Sequence, residues 1–246
     1  MLGVVFSVGN SEVCGQKNIP IQTDRPDQTE TPYTVPKKRF QVETGFLYEH
    51  TDGETKTYSI PSVLFKYGLT NTLELGIVTE LAAVKTANES ITGLNPVTLR
   101  FKKNLITEKG LIPMTSLIGY LGLPSFASAG LKATYLAPAI RLTMQHTLSD
   151  KLSLGYNLAA EWDGETTAPA FVYTLTTGYA ITPRVGSYAE LYGFSPYKSK
   201  ADHRFDCGLN YLLRQNILFD ISGGIGLTEN APDYFMALGL SFRLKD

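Results

Sequence analysis

From about residue 38 onward, large apolar side chains alternate with small or polar ones at a period of two. In RFQVETGFLYE, residues 39–49, Phe40, Val42, Phe46 and Tyr48 share one side, while Gln41, Glu43, Gly45 and Glu49 share the other. That repeat puts successive side chains on opposite faces of a β-strand, whereas a helix would repeat every 3.6 residues. The last such segment is the clearest. Tyr234, Met236, Leu238, Leu240, Phe242 and Leu244 form one apolar face, opposed by Phe235, Ala237, Gly239, Ser241 and Arg243.

Ten further segments of this kind lie between the two, at about 57–68, 73–83, 94–103, 111–122, 133–147, 152–162, 169–180, 184–195, 203–213 and 216–225. The pattern therefore predicts twelve strands, most of them ten to thirteen residues long. Strands of soluble sheets usually have about five or six residues. At ~3.3 Å per residue and a tilt near ~45°, about ten residues cover the ~25 Å apolar band of an outer-membrane barrel. Short connections (GLTNT, TLSDK, ITPR, LRQN) alternate with longer ones (TDGETK, TANESITG, PSFASAGLK, DGETTAP, SPYKSKAD, TENAPD), and NLITEKG is intermediate. Tight turns on one side and long loops on the other predict an all-β, antiparallel up-and-down barrel across a bacterial outer membrane, with both termini on the short-turn, periplasmic side.

The chemistry of the two faces weighs against the rival, a soluble barrel or sandwich. One face carries Val97, Leu99 and Phe101, then Leu136, Ile140, Leu142 and Met144, then Leu152, Leu154, Tyr156 and Leu158. The other carries Thr98, Arg100 and Lys102, then Ala137, Arg141 and Gln145, then Ser153, Gly155, Asn157 and Glu161. Pooled over all strands, this second face presents Lys66, Arg100, Lys102, Arg141, Arg204 and Arg243 against Glu43, Glu74, Glu80, Glu161, Glu190, Asp206 and Asp220. A Lys or Arg pointed at lipid near the midplane costs about 2–4 kcal/mol, so these side chains belong in a polar lumen. Aromatics at strand ends (Tyr48, Tyr120, Trp162, Tyr179, Tyr211, Tyr234) fit the two membrane interfaces. The candidate pore lining is Glu43, Lys66, Glu74, Arg100, Arg141, Glu161, Glu190, Arg204, Asp206, Asp220 and Arg243. Such a nearly balanced set can leave a narrow aqueous path or close the barrel by mutual pairing.

Composition agrees with strands and turns: 246 residues, 11% aromatic, 18% charged and 22 Gly. A net charge of −1 removes the electrostatic case for nucleic acid. Residues 1–15 read either as a shortened export signal or as an ordinary unstructured start. Cys14 and Cys207 are too far apart in sequence and context to suggest a CxxC site or a disulfide framework. His50, His146 and His203 have no metal-ligand spacing, and no cofactor fingerprint appears; GGIGL near Gly223 reads as close backbone packing in a strand. His146 and Ser149 are the one hint of a lipid hydrolase, and no residue is placed to orient the histidine.

Residues 16–37 are polar and are expected to form a periplasmic segment before the barrel of residues 38–246. Within them, TDRPDQTETP, residues 23–32, is acidic and interrupted by Pro26 and Pro32, which block helix and ladder alike. It reads either as a solvated leader or as a strap folded back to the periplasmic mouth, where Asp24, Arg25 and Asp27 pair with lumen charges and narrow the pore.

TDRPDQTETPYTVPKKRFQVETGF (23–46), LFKYGLTNTLELGI (64–77), YAELYGF (188–194) and PDYFMALGLSFRL (232–244) resemble the outer-membrane transporter family named for the meta pathway of phenol degradation. The likeness covers the chain from about residue 21, and its most specific part is the string Thr23, Asp24, Arg25, Pro26, Asp27 and Thr29. The resemblance implies an outer-membrane barrel with a transport role, surrounded by lipid and inserted by the barrel assembly machinery. Phe242, rather than the last residue, is the terminal aromatic available to that machinery. The function expected is a passive, porin-like channel for small solutes, aromatic or hydrophobic ones included. The alternatives are a lumen-filled structural barrel and, third, a membrane-embedded lipid hydrolase.

Overall fold

The computed structural model describes residues 20–51 and 55–244. The candidate export signal at 1–15 and Cys14 lie outside the described residues. The strands are β1 (Phe40–Thr51), β2 (Thr55–Thr70), β3 (Leu73–Lys85), β4 (Ser90–Leu94), β5 (Val97–Ile106), β6 (Met114–Leu123), β7 (Ala137–Thr147), β8 (Leu152–Glu161), β9 (Ala170–Ala180), β10 (Val185–Ser195), β11 (Asp202–Arg214), β12 (Ile217–Gly226) and β13 (Tyr234–Arg243). Sequential neighbours pair antiparallel, β13 returns to β1, and β3 carries both β4 and β5, so the sheet closes on itself.

The barrel has twelve staves because β4 and β5 together make one. Leu94 of β4 faces Leu81, Thr98 of β5 faces Val78, and the break between them is at Asn95 and Pro96. Asn95 N donates to Glu80 O at 2.8 Å, while Pro96 has no N–H to give. SITG was expected in a long loop, with the strand beginning at Leu94; the proline hides the continuation of the stave from the period-two pattern. The connection TDGETK is also shorter than expected. Thr51 pairs with Thr55 and the Tyr48 and Tyr58 rings lie 5.2 Å apart, so the ladder runs almost to the tip. PSFASAGLK remains a long loop, shaped by two single-turn 3₁₀ segments, Pro124–Phe126 and Ala129–Leu131.

The two faces are inverted relative to a soluble protein. Leu158 is 59% exposed and Leu238 55%, whereas Lys102 and Glu74 are fully buried. On β9, Phe171, Tyr173 and Leu175 point out while Val172, Thr174 and Thr176 point in. The outward belt runs through Leu75, Ile77, Leu99, Phe101, Ile140, Leu191, Phe205, Ile221 and Met236. A soluble monomer rarely exposes more than about 300–600 Å² of contiguous apolar surface, and a belt around a whole barrel belongs in lipid. The chain is a membrane-spanning barrel of the outer-membrane type.

Candidate functional site

The lumen is occupied by the chain's own N-terminal segment. Ile21 N donates to Gln215 O at 2.8 Å, beside the β11–β12 turn. At the other end of the segment, Thr34 Oγ1 donates to Asn71 O at 3.0 Å and Lys38 N to Gly68 O at 2.7 Å, beside the β2–β3 turn. Both are short turns at the same mouth, so the segment enters and leaves by that mouth and loops back inside the barrel. Pro26 and Pro32 keep it from helix or ladder, leaving its backbone groups to be satisfied by side chains of the wall.

Those side chains come from almost every stave. Asp24 lies at the centre of a cationic cluster: Lys66 Nζ and Arg100 Nη2 each reach its Oδ2 at 2.8 Å, and Lys102 Nζ reaches Oδ1 at 2.5 Å. Its amide donates to Glu43 Oε2 at 2.9 Å, and Glu43 Oε1 takes Lys66 at 2.7 Å. Burial alone would raise the Asp24 carboxyl, but Lys102, Lys66 and Arg100 together hold it well below the usual carboxylate range. Glu30 accepts from Arg100 Nη2 at 2.5 Å, from the Tyr120 hydroxyl, and sits 3.6 Å from Arg141 Nη1. Arg141 also reaches Glu161 at 2.8 Å, and Arg100 Nη1 reaches Glu74 at 2.6 Å. Glu74 Oε2 in turn accepts the Val35 amide at 2.8 Å. The backbone is held as well: Asn157 Oδ1 accepts the Glu30 amide at 2.8 Å, and Ser116 and Lys102 donate to Pro32 O and Thr31 O at 2.5 and 2.7 Å.

The opposite wall is anionic. Glu190 accepts the Gln28 and Thr29 amides at 2.7 and 2.8 Å and the Thr29 hydroxyl, while Thr29 and Thr174 share a hydrogen bond at 2.5 Å. Arg25 Nη2 donates to Asp220 Oδ1 at 3.1 Å. Cations thus stand on β2, β5 and β7 with Glu43, Glu74 and Glu161 among them, whereas β10, β11 and β12 carry the carboxylates of Glu190, Asp206 and Asp220. The segment matches this arrangement, turning Asp24 and Glu30 to the first group and Arg25 to the second. Asp27 is the exception. Burial, with Glu190 and Asp206 alongside, pushes its carboxyl well above the usual range. Asp206 itself takes the Tyr188 hydroxyl at 3.1 Å.

Of the candidate lining, Glu43, Lys66, Glu74, Arg100, Arg141, Glu190 and Asp220 bond directly to the segment, and Glu161 does so through Arg141. Arg204 stands apart, towards the long-loop end, bound to Asp202 at 2.5 Å and Glu49 at 2.8 Å. Arg243 lies at the short-turn end, its amide on Asn216 O at 2.9 Å. In the motif, the Thr23 hydroxyl closes a local turn on Arg25 O at 2.8 Å. Glu30, Lys102, Ser116 and Asn157 were not among the candidates. Lys102 shares the charged face of Arg100, Asn157 shares the polar face of Glu161, and Glu30 lies inside the quoted motif, so a signal existed for those three; nothing in the sequence marked Ser116.

Space remains on both sides of the loop. A cavity of 570 Å³ on the long-loop side is lined by Asp24, Glu30, Glu43, Glu80, Arg100, Tyr120, Arg141 and Glu161. One of 310 Å³ on the short-turn side is lined by Thr23, Thr176, Arg184, Tyr188 and Asn210. A third, of 220 Å³, lies towards the long loops beside Glu49, Arg204 and Asp206. Arg25 and Asp27 border all three, and the segment that carries them lies between the cavities of the two ends.

The hydrolase pair is not assembled. Ser149 Oγ accepts the Lys151 and Leu152 amides at 3.3 and 3.1 Å, as a turn residue does, and His146 Nε2 lies 3.2 Å from the Tyr156 hydroxyl. His50 and His203 pair with Asp233 and Tyr173. Cys207 is exposed on the outward face. Among the described residues no cluster of His, Cys, Asp or Glu is arranged to hold a metal ion.

The sequence of the family described as "Putative MetA-pathway of phenol degradation" matches over residues 23–244. No curated protein matches. Among solved structures, an outer-membrane channel from Pseudomonas putida F1 superposes with a TM-score of 0.68 at 13% identity, covering 86% of this chain and 97% of that one. The NanC porin gives 0.57 at 11%, with coverages of 83% and 100%. The KdgM porin in complex with disordered oligogalacturonate gives 0.55 at 11%, with coverages of 82% and 99%. At these identities the similarity establishes the barrel fold.

Proposed function

The chain belongs to the family described as "Putative MetA-pathway of phenol degradation", and from that premise we propose that it is a passive outer-membrane channel for small solutes, restricted by its own N-terminal segment. The observation that carries this reading is the pair of cavities, 570 and 310 Å³, on either side of the segment, both bordered by Arg25 and Asp27. The barrier is one loop of chain rather than a packed core, and its hydrogen-bonding partners are polar groups that water can replace. The family's description, tied to phenol degradation, supports aromatic compounds as one class of solute. An enzymatic role has no support in the geometry of the described residues, among which neither nucleophile and base nor metal ligands converge.

A second reading, a sealed structural barrel, is favoured by how thoroughly the segment is bonded to eleven of the staves. Reconstitution separates the two. Full-length protein in liposomes should leak small solutes slowly, and deletion of residues 23–32 should raise the rate. A sealed bilayer for both proteins, with the heat-dependent gel mobility of a folded barrel retained, would support the structural reading instead.

A further inference from the structure

The long-loop cavity has an unequal charge inventory. It is bordered by the carboxyls of Asp24, Asp27, Glu30, Glu43, Glu80 and Glu161, against the guanidiniums of Arg25, Arg100 and Arg141. Pairing removes most of the difference. Asp24 and Glu43 are neutralised by Lys66, with Lys102 also on Asp24. Glu30 and Glu161 share Arg100 and Arg141. Asp27 lies on the segment between the cavities, its carboxyl pushed up by burial and by Glu190 and Asp206 alongside.

Glu80 stands outside that network. It projects from β3 where the interrupted stave breaks, and its side-chain partner is an amide: Asn95 Nδ2 donates to its Oε1 at 3.0 Å. Its cross-strand neighbour is Ser62, which is uncharged. It forms no ion pair with any described residue, and it is half-buried at the wall of that cavity. Every guanidinium on that cavity is already engaged by carboxylates, Arg25 by Asp220, Arg100 by Glu74, Asp24 and Glu30, and Arg141 by Glu161. The bonded network has five carboxylates, Asp24, Glu30, Glu43, Glu74 and Glu161, against the four cations Lys66, Lys102, Arg100 and Arg141, so a mobile ion entering from the long-loop side meets a net negative wall on which Glu80 has no ion-pair partner among the described residues.

We propose that Glu80 is the charge-selecting residue of the route and that the solutes it favours are small cations, inorganic or organic ammonium. This rests on the channel reading above. An unpaired carboxylate in a narrow, low-dielectric surround raises the local concentration of counter-ions and excludes co-ions. The guanidiniums on that wall are each held by carboxylates, so none is left to favour an anion.

The test is the reversal potential of full-length protein in a planar bilayer under a KCl gradient. Wild type should reverse on the potassium side of zero. Glu80→Gln keeps the acceptor for Asn95 and should lower the potassium-over-chloride preference by about two- to fivefold, the effect of one unit charge a few ångströms from a hydrated path. Glu80→Lys should favour chloride. Lys200→Gln, which alters an exposed loop pair with Glu229, should change nothing. A wild-type preference for chloride, or a Glu80→Gln reversal potential equal to wild type, overturns the proposal while leaving the channel reading intact. A bilayer sealed in wild type and in the variant lacking residues 23–32 overturns the channel reading itself.

Discussion

Arg25 donates to Asp220 at 3.1 Å although the two are 195 residues apart, and the contact exists because Gly45 and Gly239 have no side chains. A Cβ on Gly45 would fall 2.2 Å from the Arg25 guanidinium carbon, and one on Gly239 would fall 2.5 Å from both Arg25 Nε and an Asp220 oxygen. The two glycines of the β1–β13 pair form a notch for the arginine that bars the lumen. Gly45→Ala should push Arg25 out of that notch at a cost of about 1–3 kcal/mol. Single-channel conductance should rise as the barrier opens, and Arg25→Ala should give the same rise without touching the wall. Conductance unchanged in both variants would mean that Arg25 does not limit the path.

Asp24 is the keystone of the cationic wall. Asp24→Asn leaves Lys66, Arg100 and Lys102 crowded together with Glu43, Glu74 and Glu30 as their remaining counter-ions. Removing one partner of a buried ionic cluster costs about 3–5 kcal/mol. Glu161→Gln, at a carboxylate 31% exposed, should cost about 1 kcal/mol or less. Unfolding midpoints in urea for the folded barrel in detergent give the order, and equal midpoints for the two variants would contradict it.

Docking of the segment should depend on pH in a direction set by Asp27. Its carboxyl is raised in the docked state, first by burial and then by Glu190 and Asp206. A group held above its free value stabilises docking below that free value and loses the contribution as pH climbs through the docked one. Asp24 has the opposite sign: its contribution is present above the free value and is lost only in strong acid, because its docked value lies well below the usual range. Conductance should therefore increase from mildly acidic towards alkaline pH, and Asp27→Asn should flatten that rise. A conductance that falls with pH in wild type, or an unchanged profile in Asp27→Asn, would contradict the assignment.

The barrel was legible because lipid demands large apolar side chains at every second position, and that demand survives in segments such as residues 234–244. It failed locally where another constraint cut the period. Pro96 hid β4, and the tyrosine pair at Tyr48 and Tyr58 extended a hairpin that polar residues had marked as loop. The inward charges were visible one strand at a time, but their partners were not. Asp24 meets Lys102 across 78 residues of chain, a contact that exists only after the sheet has closed. Nor could composition fix the depth of TDRPDQTETP. Polarity and prolines say that it avoids lipid and ladder, while its position inside the lumen follows from matching its sign pattern to a wall whose polarity is set by staves far apart in sequence.

That matching of signs implies that the wall recognises the segment independently of the covalent link. If so, a barrel lacking residues 23–32 should be blocked by a free peptide of residues 21–35, IQTDRPDQTETPYTV, added on the short-turn side. Tethering supplies an effective concentration of about 1 mM for a short flexible connection, so the peptide should act at roughly millimolar levels or below. The same peptide with Asp24 and Glu30 changed to Asn and Gln should block far less, because it leaves Lys66, Lys102, Arg100 and Arg141 without the carboxylates they bind. Single-channel recording with each peptide reads the outcome directly. Equal block by both would show that filling volume, rather than charge pairing, occludes the pore.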